Sequence, residues 1–456
     1  MKTIFSPAQS TGHSGIFLKF GLQLLFIFLI ACNSNKQAQS GYTTITKWQN
    51  NKKAAISLTF DDGTINQLTV ARPIMNKLGF HATYFIITGK IKGSAKGKFI
   101  GRPPEQIIKE TAMVKTNADN LFERASLIAY SGLKNGVDFH TRAGIFYEAG
   151  KVDDAYKIID TGYQLVRGLK TNHRDEQIFH DNPTDTTTWE DYKDYATEGH
   201  EIASHTVTHP KLAVLDSVNL MYELNQSKAD ILNNLGVQYT FSAECPYGTE
   251  NERVMHFAHQ VYPALRNRMP ARYLAEINRS GKKLPFEFSN EYIQWQRGPV
   301  RSVTMTTMKS WVDTCLAHDN IWLVLVFHGI DGIGWEPRTG AELNEYFAYM
   351  HQLESDLWIA PFGEITKYIR ERKSTEIQSR HTGDTVSIDF TTTLSRADYN
   401  IPLTMKTYIE KSWKKAYLSR LNRASERESL NISKDSQGHY VMYSVFPSDQ
   451  GVRIFN

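Results

Sequence analysis

Two adjacent aspartates, Asp61 and Asp62, end the apolar run in "AAISLTFDDG" and are followed at once by Gly63. Like charges placed side by side repel, so the pair needs a local reason. Asp and Gly are common in turns, and Asp-Asp-Gly by itself is a weak signal. Further along, "SHTVTH" sets His205 and His209 four residues apart. On one helical turn, histidines at that spacing share a face and can clamp a metal ion. They follow the short apolar stretch Ile202-Ala203-Ser204, which reads as another strand end. His328 stands directly after the most apolar run of the chain, Ile321 to Phe327, and "CPYG", Cys245 to Gly248, reads as a turn after a strand.

These residues need elements to carry them. Ala54 to Phe60 reads as a buried strand. "QLTVARPIMNKLGFHATYFIITG" then reads as a helix, a Gly79 stop and a second buried strand, Ala82 to Thr88. Strand, helix and strand in so short a stretch form a βαβ unit and imply parallel pairing. In such folds functional groups gather at the C-terminal ends of strands, where Asp61 and Asp62 lie. From about 91 to 189 apolar residues recur at helical spacing between glycine breaks. One fair copy and one poor copy of a helix-turn-helix unit fall short of the three that a solenoid needs, so a helical insertion is expected. After about Ser374, "DTVSIDFTTTL", "IPLTMKTYI" and "HYVMYSVFP" alternate as half-exposed strands do. A small antiparallel, sandwich-like β domain over 374–456 is expected, without chemistry of its own.

The 456 residues are 41% hydrophobic and 22% charged, which excludes disorder and a multispan membrane protein and suggests two or three domains. A formal charge of +4 gives no reason to expect a nucleic-acid partner. Lys2 and Lys19 precede an apolar run, Leu22 to Ala31, too short to span a bilayer but suited to a secretory signal over 1–31. It ends Leu29-Ile30-Ala31-Cys32, which resembles a bacterial lipobox and implies lipidation of Cys32. Loss of a segment with two lysines and no acids would lower the formal charge from +4 to +2. Asn33 does not resemble an inner-membrane retention signal, so an outer-membrane lipid anchor facing periplasm or exterior is expected. Polar residues 32–53 read as a tether. Cys245 and Cys315 would then be the remaining thiols, too few for a disulfide framework, and their pairing is left open.

The ordered set "TFDDG", "SHTVTH", "PYG" and "LVLVFH" resembles the polysaccharide deacetylase family, also called the NodB-homology domain or carbohydrate esterase family 4. The resemblance covers about residues 54–90 and 190–370. It implies an α/β fold, a deformed (β/α) barrel with fewer than eight regular strands, here spanning 54–373. It also implies roles: Asp62, His205 and His209 as metal ligands, Asp61 as catalytic base, His328 as general acid, and the Tyr247 backbone N–H as the group polarising the acyl oxygen. One carboxylate and two imidazoles suit zinc, with cobalt or nickel as alternatives. A dication beside Asp62 would offset the repulsion between the two aspartates.

The chain departs from the family pattern at the third motif, where the usual arginine is replaced by Glu244. A glutamate there is expected to repel Asp61 and raise its pKa. In "EYIQWQRGPVRS", Trp295 is a candidate for lining the substrate pocket, and Arg297 or Arg301 for replacing the missing arginine. The alternative is a tryptophan on a core strand with its arginines in solvent. Asp331, in the glycine-rich loop after His328, is a candidate partner for that histidine. The resulting expectation is a hydrolase that removes N-acetyl groups from an envelope or environmental glycan. The alternatives are an acetyl xylan esterase and a degenerate glycan-binding protein without turnover.

Overall fold

The computed structural model describes residues 38–133, 135–168, 187–276, 278–279, 287 and 289–456. The segment expected as a secretory signal and Cys32 lie outside the described residues, as does part of the helical insertion. No described helix is long and apolar enough to cross a membrane.

The first strand, β1 (Thr43–Ile45), precedes those of the barrel: β2 (Ala54–Asp61), β3 (Thr83–Ile86), β4 (Glu201–Ser204), β5 (Ser242–Ala243), β6 (Ala264–Leu265), β7 (Asn278–Arg279), β8 (Ile293–Arg297), β9 (Ile321–Phe327) and β10 (Leu357–Ile359). These nine form one parallel sheet in the order β6-β5-β4-β3-β2-β9-β8-β7. β10 pairs with the first half of β2, through Ala54–Ile56, while β3 takes over the second half, through Thr59–Asp61. This shared edge and the two-residue strands β5, β6 and β7 give the deformed half-barrel. Parallel strands buried on both faces read as continuous apolar runs, and β2 and β9 do so.

Alternation along β2 assigns its two faces. Ile56, Leu58 and Phe60 join Tyr84, Leu323, Leu325, Phe327, Met308 and Tyr346 under the outer helices. Ser57, Thr59 and Asp61 therefore point into the barrel. There, Ser57 Oγ donates to the Ala360 carbonyl at 2.9 Å and Thr59 Oγ1 to that of Leu325 at 2.8 Å.

After Ser374 come β11 (Thr375–Thr382), β12 (Thr385–Thr392), β13 (Leu403–Ile409), β14 (Tyr417–Arg420), β15 (Arg423–Ser429), β16 (Ile432–Lys434), β17 (His439–Val445) and β18 (Gly451–Phe455). They build two antiparallel sheets, β1-β13-β17-β16 and β11-β12-β18-β14-β15. The stretch expected as a tether is folded from β1 onward. β1 pairs with β13 in the register Thr43↔Thr407 to Ile45↔Met405, and Trp48 is buried with its Nε1 donating to the Asp319 carbonyl at 2.8 Å. The polar residues of this stretch conceal two buried anchors: Ile45 is covered through the pairing with β13, and Trp48 packs against Tyr292.

Between β3 and β4 the described residues form the helices Pro104–Glu110, Leu121–Ala129, Gly136–Glu148, Val152–Val166 and Trp189–Thr197. Ile128, Phe139, Ala155, Ile159 and Tyr163 give the insertion a core of its own, which also takes in Val214 from the barrel loop. Gly144 permits a close approach of the insertion to the barrel loop, since a Cβ there would lie 2.2 Å from Lys211 Cγ. Cys245 and Cys315 are buried free thiols, which resolves their pairing.

Trp48→Ala is expected to destabilise the chain by about 3–5 kcal/mol, seen as a lower urea midpoint, because β1 then loses its anchor. An unchanged midpoint would show that this segment is not integral to the fold.

Candidate functional site

The ends of β2, β4, β5, β6 and β9 bring Asp61, Asp62, His205, Glu244, Arg266 and His328 together. One oxygen of Asp62, both imidazoles of His205 and His209 and no other described group form a cluster whose ligand atoms lie within 4.8 Å of one another. His205 Nε2 is 3.8 Å and His209 Nε2 is 3.5 Å from Asp62 Oδ1. That oxygen is buried and accepts no hydrogen bond. A buried carboxylate oxygen left facing two imidazole nitrogens is costly unless a cation completes the set, so these residues fit a divalent ion.

The two histidines do not share a helical face. His205 follows β4 and His209 closes a tight loop with Thr206, both Thr206 (φ 68°) and His209 (φ 57°) being left-handed. Asp62 (φ 74°) and Tyr247 (φ 62°) are left-handed as well, so the site concentrates backbone strain that the surrounding packing must hold. His205 Nδ1 bonds to the Glu244 carbonyl at 2.9 Å, which leaves Nε2 as the bare nitrogen facing Asp62. The loop itself is clamped by Glu223. Its carboxylate accepts the backbone N–H groups of Val207 (2.9 Å) and Thr208 (2.8 Å), the Thr208 hydroxyl (2.6 Å) and, from the insertion, the Tyr130 hydroxyl (2.7 Å).

Asp61 is held by an arginine, but not by either expected one. Arg266, one residue past β6, donates through Nη1 to Asp61 Oδ1 at 2.8 Å and through Nη2 to Oδ2 at 2.5 Å. Nη1 also reaches Thr59 Oγ1 at 2.7 Å, and Nε reaches Glu244 Oε2 at 3.2 Å. Asn267 Nδ2 covers the other Glu244 oxygen at 2.9 Å. Glu244 therefore does not act on Asp61 as expected: it anchors the arginine that pairs with Asp61. Burial pushes the Asp61 carboxyl up, but Arg266, His328 and His205 outweigh it and hold it well below the usual carboxylate range. Burial, only partly offset by Arg266, pushes Glu244 up instead. His328 Nε2 lies 3.4 Å from Asp61 Oδ2, the oxygen that also accepts from Arg266 Nη2.

The structure corrects the reading of Trp295 and Arg297. On β8, Gln294 and Gln296 point inward, and both donate Nε2 to the Arg266 carbonyl. The period-2 alternation then turns Trp295 and Arg297 to the outer face. Trp295 is 2% exposed in the core beneath the helices, and Arg297 stacks over its ring at 4.3 Å. Neither lines the site. Arg301 also lies elsewhere: it is exposed, and its backbone N–H donates to Glu336. Asp331 does not pair with His328, because its Oδ1 accepts the Gly340 N–H at 2.9 Å and so ties down the end of its own loop. Sequence reasoning missed Arg266, although "YPALRNRM" does place a polar residue after a short apolar stretch, the same signal that marked the other strand ends. A two-residue strand made that signal faint.

Arg266→Met is expected to destabilise by about 3–5 kcal/mol in urea unfolding, because it strands two buried carboxyls. The two histidines generate a second expectation. Burial first, and His209 as a neighbour, push His205 down to about 4, and burial pushes His209 down to about 4. Both stay neutral as pH falls through 6.5, the value at which they would otherwise take up protons. Protons would thus compete with a divalent ion held by these residues only below about pH 5. Zinc titrations at pH 7.5 and 5.5 should give Kd values within about threefold, whereas two ordinary histidines would lose roughly a hundredfold.

Residues 49–116 and 151–262 match the Polysaccharide deacetylase family. A curated gellan lyase from Bacillus sp. is 26% identical over 240 residues, a stretch that is 49% of this chain and 9% of that protein. The chain thus spans less than a tenth of that relative's length. Among solved structures, a putative polysaccharide deacetylase from Mycobacterium smegmatis is 12% identical with a TM-score of 0.36, covering 74% of this chain and 96% of its own. The family 4 carbohydrate esterase PdaA of Bacillus subtilis is 12% identical with a TM-score of 0.31, covering 73% and 85%. The family match falls on strands β2 to β5 of the half-barrel, which carry Asp61, Asp62, His205, His209 and Glu244, and on part of the helical insertion.

Proposed function

We propose that this chain is a metal-dependent deacetylase that hydrolyses N-acetyl groups of an envelope or environmental polysaccharide. The observation that carries it is the buried, unpartnered Asp62 Oδ1 facing His205 and His209, with the arginine-bound carboxylate of Asp61 and the imidazole of His328 directly beside it. Asp62, His205 and His209 would hold the ion, with zinc favoured by the donor set and cobalt or nickel as alternatives. When bound, it supplies Lewis acidity at the acyl centre.

The remaining chemistry belongs to the chain. Asp61 accepts the proton of the attacking water, and Arg266 holds both of its oxygens so that its lone pairs keep one orientation. The Tyr247 backbone N–H, presented by the left-handed turn Pro246–Gly248, donates to the acyl oxygen as negative charge develops there. His328 delivers a proton to the departing nitrogen, and acetate and the free amine result. An arginine-paired carboxylate is a weak base, and the acidity that an ion held by Asp62, His205 and His209 would lend to water would suit it to act near neutral pH. An amide needs a protonated leaving group more than an ester does, so an imidazole placed beside the base to donate a proton suits the N-acetyl reading. In the same reading the apolar segment and Cys32 anchor the chain to the outer membrane by lipid, facing the periplasm or the exterior.

Acetate release from chitooligosaccharide, peptidoglycan and acetylxylan, with zinc or cobalt added, tests this directly. A folded, metal-loaded chain that releases acetate from none of them would leave a glycan-binding protein without turnover. Asp61→Asn is expected to lower turnover by at least about a thousandfold while metal content stays stoichiometric, and His205→Ala to lose both. Equal metal loss in the two variants would contradict the division of roles. Cys32→Ala is expected to shift the chain from the membrane to the soluble fraction on cell fractionation.

A further inference from the structure

The loop after His328 carries the most exposed tryptophan of the described residues, Trp335, at 57% exposure. Exposure alone means little, since single apolar side chains are common on surfaces. Two further observations set this one apart. Its ring lies 4.6 Å from the His328 ring in an edge-on contact. The loop that presents it is also tied at every turn. Gly329 N–H donates to the Trp335 carbonyl at 2.9 Å, Ile330 and Ile333 exchange backbone bonds of 2.9 and 3.1 Å, and Arg338 and Gly329 bond at 3.1 Å. The Arg338 side chain is buried beneath the loop, with Nε donating to the Pro299 carbonyl at 2.9 Å and Nη1 to Glu342 at 2.9 Å. Gly329 is required here, because a Cβ would lie 2.5 Å from the Ile333 carbonyl oxygen. A rigid loop thus holds a large aromatic face in solvent, a placement that folding alone does not reward.

The geometry points to a substrate-binding role: we propose that Trp335 is the platform for the sugar ring whose nitrogen His328 protonates, and that it makes the site select glycans over small amides and esters. This rests on the deacetylase reading above. For His328 to protonate the departing nitrogen it must approach within about 3 Å of it. That nitrogen is bonded directly to a carbon of the sugar ring, so the ring itself lies against the imidazole, within reach of the indole. A pyranose presents a face of C–H groups that stacks on an indole by dispersion and weak C–H contacts, burying apolar surface on both partners. A sugar-free acyl substrate would reach Asp61 and the metal ligands without touching Trp335.

Trp335→Ala and Trp335→Phe, compared with the unaltered chain, test the assignment. Trp335→Ala should raise KM for chitotetraose roughly tenfold with kcat changed less than about threefold. Cleavage of 4-nitrophenyl acetate, which has no sugar ring to stack, should lose far less kcat/KM than chitotetraose does, and Trp335→Phe should restore part of the oligosaccharide KM. Unchanged oligosaccharide KM in Trp335→Ala, or an equal loss on both substrates, overturns the assignment. Calorimetric binding of chitotetraose and acetylated xylotetraose to the zinc-loaded proteins separates it from the deacetylase reading. Tryptophan-dependent binding without acetate release would sink the catalytic reading and keep the platform. Binding that is absent, or equal in the unaltered chain and Trp335→Ala, would sink the platform.

Discussion

The site depends on one buried ionic chain, Asp61–Arg266–Glu244. Both Asp61 oxygens are fixed by the guanidinium, whose third nitrogen meets Glu244, and all three residues are almost wholly enclosed. A buried charge pair is weak ground for stability, since desolvation offsets much of the attraction. Its consequence is geometric. It keeps a carboxylate ionised and oriented at the mouth of the barrel, beside a second carboxylate that would otherwise repel it. Arg266 is in turn supported from several sides: its ring-face contact with Phe85 is 4.6 Å, and two glutamines of β8 hold its carbonyl. Strands on both sides of β2 thus converge on one guanidinium.

A second set of contacts ties the helical insertion to the metal-ligand loop. Tyr130 reaches Glu223, which grips Val207 and Thr208, while Lys211, two residues past His209, pairs with Glu148 and lies 5.2 Å beneath the Tyr247 ring. The Tyr247 ring rests in turn 4.8 Å from that of His209. Left-handed Asp62, Thr206, His209 and Tyr247 are conformations that a free loop would abandon. These buried struts explain how the loop keeps them, and they give the insertion a structural part in the site.

The sequence by itself determined much of this. Apolar runs that stop abruptly at polar residues showed the buried parallel strands and marked Asp61, Asp62, His205 and His328, because strand ends are local features. The alternation after Ser374 likewise showed half-exposed antiparallel strands. What escaped was set by partners distant in the chain. β1 reads as polar tether because its burial comes from β13, more than 350 residues away. Trp295 and Arg297 drew attention by residue type, yet which face of β8 they occupy is fixed by the register of a whole strand, and a shift of one residue exchanges the faces. Glu244 read as a repulsive neighbour because charge sign is visible in sequence and intervening partners are not. Only the tertiary structure decided that Arg266 stands between the two carboxylates, since the identity of a charge's partner is a matter of distance in space.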